Sequence, residues 1–134
     1  MDYILDAVID EIGRGVKLYS RITVGAMPAR DGIAMFIGSG APQSFFKDKS
    51  THDAILVSVN AKHKDQQKAA KALDNIHGYI TRLKSYPSGT AERGKWQITD
   101  VSTAAAANYI GKEEGGQHLF GSIIQIKIFF GGNT

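Results

Sequence analysis

The stretch KWQITDVSTAAAANYIGKEEGGQHLFGSIIQIKIFF, residues 95–130, decides the fold. Its two ends, Lys95 to Thr103 and His118 to Phe130, have strand character. The segment between them, Ala104 to Gln117, is too long for a tight turn and has no core-forming pattern of its own. Together these predict an antiparallel hairpin with a projecting loop. In the second run Ile124, Ile126, Ile128 and Phe130 fall on one face of a pleated strand, while Gln125 and Lys127 fall on the other. One face is therefore buried and needs a cover.

The cover is the one long amphipathic segment, found within residues 64–86. From Lys64 to Leu83, Ala69, Ala72, Leu73, Ile76, Ile80 and Leu83 recur at the helical period, while Lys64, Asp65, Gln67, Lys68, Lys71 and Asp74 hold the opposite side. Pro87, Ser88 and Gly89 end it, and Arg82 and Lys84 suit its C-terminal dipole. A second, shorter helix is predicted over residues 2–12, where Ile4, Leu5, Val8, Ile9 and Ile12 form one stripe; Asp2 can cap it and Gly13 and Gly15 stop it.

Between the helices the pattern changes to short strands. Lys17 to Val24 alternates loosely and Ile33 to Ile37 is an apolar run between Gly32 and Gly38. The Met27-Pro28-Ala29-Arg30-Asp31-Gly32 segment should turn, which predicts a hairpin or meander. Ala41 to Asp53 reads as a polar connection carrying Phe45 and Phe46 beside Lys47, Asp48 and Lys49. Two adjacent aromatics in a charged loop are either a lid on the core or an anchor for a partner. Ile55, Val57 and Val59 then mark an interior strand. In the first arm of the hairpin Trp96 and Ile98 share one face, and Gln97, Thr99 and Val101 share the other, so either face can be the inward one near Asp100. Residues 1–134 thus read as a single α+β domain, a mostly antiparallel sheet packed against a long central helix and an N-terminal helix.

Composition narrows the function classes. A chain of 134 residues with 43% hydrophobic and 22% charged residues has the ordinary make-up of one globular domain. With no cysteine, disulfide frameworks, thiolate metal sites and cysteine nucleophiles are excluded. Met1-Asp2-Tyr3, followed by Asp6, Asp10 and Glu11, lacks the basic start and apolar run of a secretory signal, and no stretch approaches the roughly 20 apolar residues of a membrane helix. The 16 basic residues against 13 acidic ones give a formal charge of +3, too balanced to mark a nucleic-acid footprint without clustering. The helix face with Tyr79 and Tyr86 is the one place where such a footprint would lie, and Asp65 and Asp74 interrupt it.

Signals for chemistry are weak. Gly38-Ser39-Gly40 lacks the spacing and the Lys-Ser/Thr of a phosphate loop. His52, His63, His77 and His118 show no metal-ligand spacing, and His118 near Ser122 lies outside any nucleophile elbow. No catalytic residue, cofactor or metal is expected.

The order of elements from Ala54 onward, and above all the run Asn108-Tyr109-Ile110-Gly111-Lys112-Glu113-Glu114-Gly115-Gly116-Gln117 with the Gly121-Ser122-Ile123 that follows, resembles the tail terminator (tail completion, minor capsid) family of phages and prophages of Gram-positive bacteria. The resemblance covers roughly residues 54–130; Ala104 to Ala107 depart from it, standing where a more polar, proline-bearing approach to the loop is expected. It implies a structural protein without enzymatic activity, forming a ring, typically of six copies. That ring would cap the tail tube, stop its polymerisation and offer a docking face to the head connector or stopper, with a sheath as neighbour if the tail contracts and DNA only as cargo through the lumen. Its place would be the head-proximal end of the virion tail, after assembly in the host bacterial cytoplasm. Loop length and composition nominate Ala104 to Gln117 and Gly38 to Asp53 as contact loops, with Tyr109, Ile110, Lys112, Glu113 and Glu114 first and Phe45 and Phe46 second.

Overall fold

The computed structural model describes residues 2–37, 43–44, 51–92 and 94–131. They form one α+β domain. Helix α1 (Asp2–Gly15) buries Ile4, Leu5, Val8 and Ile12, the stripe its sequence sets out, and runs past Gly13 to stop at Gly15. Helix α2 (Gln66–Ile80) buries Ala69, Ala72, Leu73, Ile76 and Ile80. It is shorter than its apolar period suggests, because the Asp65 carboxylate takes the N-cap and accepts from the Gln67 N–H at 3.0 Å. At its other end the Thr81 hydroxyl donates to the His77 carbonyl at 2.6 Å. At 15 residues against 14 for α1, α2 is one of two comparable helices rather than a long central one.

The strands are β1 (Ile22–Val24), β2 (Gly32–Ile37), β3 (Gln43–Ser44), β4 (Thr51–His63), β5 (Ser88–Ala91), β6 (Gly94–Lys112) and β7 (His118–Gly131). They lie in the order β1-β2-β4-β7-β6-β5, with β3 on the edge of β4 beyond β2. The sheet, expected to be mostly antiparallel, is mixed. β1 and β2 run parallel, Ile22 opposite Ile33, and not as the hairpin or meander expected from the turn signals between them. Gly25 explains the difference: at φ +99°, a conformation open to glycine, it leaves β1 while its N–H still donates to the Met35 carbonyl at 3.1 Å, and the chain loops back to enter β2 in the same direction. Residues 16–21 stay irregular, with the Tyr19 hydroxyl held between the carbonyls of Gly32 (3.1 Å) and Lys62 (2.9 Å). Burial, reinforced by the Asp31 carboxylate, pushes that phenol far above its ordinary pKa.

The largest departure from expectation lies in the hairpin. Ala104 to Lys112 are strand, not loop, and only Glu113 to Gln117 turn. Within the turn the Gly116 N–H donates to the Glu113 carbonyl (2.9 Å) and the Glu113 N–H to the Gln117 carbonyl (2.8 Å), with Gly116 at φ +91°, a compact glycine-dependent connection. Alanine, asparagine and glycine have little strand propensity, but the ladder offered by β7 satisfies their backbone and overrides it. The fit is irregular. From Lys95↔Gly131 to Lys112↔His118, β6 takes seventeen steps to thirteen along β7, and the four extra residues fall at four register shifts. The first, between Ile98 and Asp100, reverses the alternation and settles the face left open near Asp100: Val101 is buried with Ile98 while Thr99 is exposed.

Both helices cover one face of the sheet. There Ile33, Met35, Ile55, Val57, Val59, Ile124, Ile126, Ile128, Trp96 and Val101 pack with Leu73 and Ile76 in one continuous core. Because Leu73 is wholly buried in it, Leu73→Asp places a carboxylate among aliphatic groups at a cost above about 4 kcal/mol. The variant is expected to show no cooperative melt by circular dichroism; a transition near that of the parent chain would mean that this face is not the core.

Candidate functional site

Tyr109, Ile110, Lys112, Glu113 and Glu114 all lie at the far end of the β6–β7 hairpin, as the candidate contact residues of the sequence. The structure divides them between two faces. Tyr109 pairs with Phe120, stands edge-on to its ring at 5.2 Å, and shares a hydrogen bond of 3.0 Å with His118 Nδ1, on the side of the helices. Ile110 is the extra residue of the last register shift, and its Cδ1 lies over Gly121 on the opposite side, next to Asn60. Both remain open to solvent, at 46% and 55%. Glu113 shares Ile110's side, where its Oε1 meets Lys62 Nζ at 2.7 Å.

That ion pair holds the hairpin end in place. Lys62 is the penultimate residue of β4 and its side chain is 5% exposed, whereas Glu113 is 42% exposed. A buried ammonium needs its partner more than a half-exposed carboxylate does, so the pair clamps the turn against β4. Lys112 and Glu114 are exposed. Phe45 and Phe46 lie outside the described residues, as does most of the Gly38 to Asp53 connection; of it, Gln43 and Ser44 pair with Ala54 and Asp53.

A second polar cluster sits inside the protein and has no counterpart in the sequence reading. His77 on α2 places Nδ1 at 2.7 Å from Thr103 Oγ1 and Nε2 at 2.9 Å from Ser122 Oγ. Ser122 in turn donates to the Val59 carbonyl at 2.7 Å. Since that bond uses the serine's only proton, Nε2–H of His77 donates to Ser122 Oγ and Nδ1 accepts from Thr103, which is the neutral ring. Burial lowers the pKa of His77, against the opposing pull of Asp74. Ser122 is 3% exposed with its proton committed to a carbonyl, so the trio fastens α2 to β4, β6 and β7 and offers no nucleophile. Ser122 is thus joined to His77 and not to His118. No spacing rule could have found the pair, because 45 residues separate its members.

Other groups are engaged structurally. Tyr79 donates to Glu11 Oε2 at 2.7 Å and its ring fills the space where a side chain on Gly15 would stand. Tyr86 is half-buried, with its phenol pKa raised by that burial and by Asp100. Neither aromatic is left free on the basic face of α2. Among the described residues no group of three histidine or acidic side chains is placed to hold a metal ion, and no helix is long and apolar enough to cross a membrane.

Comparison with models of known protein families finds none that matches the chain, and comparison with curated proteins finds no relative.

Two outcomes test this geometry. Glu113→Ala strands the Lys62 ammonium and should lower stability by about 1 to 2 kcal/mol in urea, while Glu114→Ala should change it by less than about 0.5 kcal/mol. Equal effects would mean that the clamp contributes nothing. For His77, the unfolded ring takes up a proton near pH 6.5 while the folded ring resists it, so stability is complete above that value and declines as pH falls toward the depressed folded pKa. Melting temperature should thus drop between pH 7 and pH 5 more steeply in the parent chain than in His77→Gln, a variant about 1 to 3 kcal/mol less stable at pH 7. Parallel profiles would show that His77 does not contribute to the acid sensitivity.

Proposed function

We propose that the chain is a structural ring protein that caps the tail tube of a phage or phage-tail-like particle, halts its polymerisation and presents a docking face to the head connector. The observation that carries this reading is the hairpin end, with Tyr109 and His118 on one side, Ile110 on the other, and Lys112 and Glu114 free between them. A closed head-to-tail ring needs two different complementary patches on each copy, and capping a tube needs a third. A hairpin with unlike faces, clamped by Lys62 and Glu113, offers unlike patches at little ordering cost. The resemblance of roughly residues 54–130 to tail terminators, closest from Tyr109 to Gln117 and at Gly121-Ser122-Ile123, points the same way. In this reading the protein performs no chemistry and needs no cofactor. Its partners are further copies of itself, tube protein and the connector, and it resides at the head-proximal end of the tail.

The same surface suits a connector-side minor capsid protein, which differs only in where the ring sits. Electron microscopy of particles assembled without this chain separates the two. Overlong tubes lacking heads are expected; tails of normal length that fail to join heads would place the protein on the connector side, and normal particles would end both readings. Reversing the charges of Lys112 and Glu114 together, which leaves the Lys62–Glu113 pair intact, is expected to abolish particle assembly, and intact assembly would remove this hairpin end from the interface.

A further inference from the structure

The irregular segment after α1 runs alongside α2, and between them lies a groove of about 340 Å³. Lys17 comes to it from one wall and Lys68, Lys71 and Asn75 from the other, over Leu18 and Ala72. All three lysines are exposed, and none has an ion-pair or hydrogen-bond partner among the described residues. No acidic side chain among the described residues lines the groove. Of the nearby carboxylates, Asp65 is held as the cap of α2 and Asp74 acts on His77 instead. Three like charges in one concavity repel one another and attract an anionic partner.

The chain carries a matching anionic face. Asp6 and Asp10, four residues apart on α1, are exposed on one side of the helix and unpaired among the described residues. Lys68 and Lys71, three apart, share one side of α2 in the same way, so both pairs space their charges by about 5–6 Å. Within one copy the two sets do not meet. The helices touch where Tyr79 donates to Glu11 at 2.7 Å. From there α2 leads back about three turns to Lys68, toward His63 and the hairpin end. Helix α1 leads back the other way, to Tyr3, whose ring stands 5.8 Å from that of Trp96 at the opposite end of the sheet. We infer that Asp6 and Asp10 of one copy dock, head to tail, on the Lys17, Lys68 and Lys71 groove of the next.

Two unlike patches on separate helices are what a head-to-tail contact requires, and this one leaves the hairpin end for the tube or the connector. The closure of such contacts into a ring rests on the function proposed above; the docking itself does not. Carboxylates suit the groove better than a nucleic-acid strand, because no arginine lines it and it has no free aromatic face for stacking. The Tyr19 hydroxyl is held between two carbonyls, and its ring stands edge-on to His63 at 4.7 Å. A contact of this size should be micromolar and loosened by salt.

Sedimentation velocity of the full chain over about 5–500 µM at low salt tests it. Association that grows with concentration and passes beyond a dimer is expected. Lys68→Glu with Lys71→Glu, or Asp6→Lys with Asp10→Lys, should each weaken it about tenfold or more, because the facing patches then carry like charge. All four side chains are exposed, so both variants should melt close to the parent chain. Mixed in equal amounts, the two variants should associate again, since the reversed groove of one fits the reversed helix of the other. A monomer throughout, or variants that stay apart on mixing, would overturn the proposal. So would a monomer that binds a single-stranded oligonucleotide through Lys68 and Lys71, which would give the groove to nucleic acid. A closed dimer sensitive to both changes would overturn the head-to-tail arrangement. A ring indifferent to both would overturn the docking and leave the ring reading standing.

Discussion

β7 is the constraint on which the rest of the structure depends. It is paired with β4 on one side and β6 on the other over almost its entire length, and its alternate residues, Phe120, Ile124, Ile126, Ile128 and Phe130, form the middle of the core. Because side chains alternate along a strand, one fixed register there determines which face of both neighbours is buried. The helices follow from that choice. Leu73 and Ile76 of α2 and Ile4, Val8 and Ile12 of α1 have one apolar surface on which to pack, and it is the one β7 defines.

The pairing of β6 with β7 shows how a long strand accommodates residues it does not need. Four residues more than β7 can match are absorbed as bulges, each displacing the side-chain alternation or bending the strand. At Val101 the result restores an apolar residue to the core. At Ile110 it turns an apolar residue out to the opposite face, over Gly121. The same irregularity thus serves packing at one end of the hairpin and exposure at the other.

Polar groups join the layers where apolar packing gives no direction. His77, held between Thr103 and Ser122, fixes α2 at one rotation and position on the sheet, which aliphatic contacts alone specify only loosely. Lys62 and Glu113 fix the far end of the hairpin in the same way. Each is directional and mostly or partly buried, so each costs more to break than an exposed pair on the surface.

The sequence by itself determined whatever depends on local periodicity. The apolar stripes of both helices, the alternation of β7, the interior character of Ile55, Val57 and Val59, and the α+β class all follow from spacings of two or about 3.6 residues. The candidate contact residues of the hairpin were legible as one cluster, since they are adjacent in the chain. Their division between two faces was not, because it depends on a bulge that exists only relative to β7. Tertiary structure alone decided the strand state of Ala104 to Lys112, the parallel pairing of β1 with β2, and the partners of His77 and Lys62. In each case the deciding group lies far away in the chain, and no local pattern can encode a partner that the backbone supplies only after it has folded.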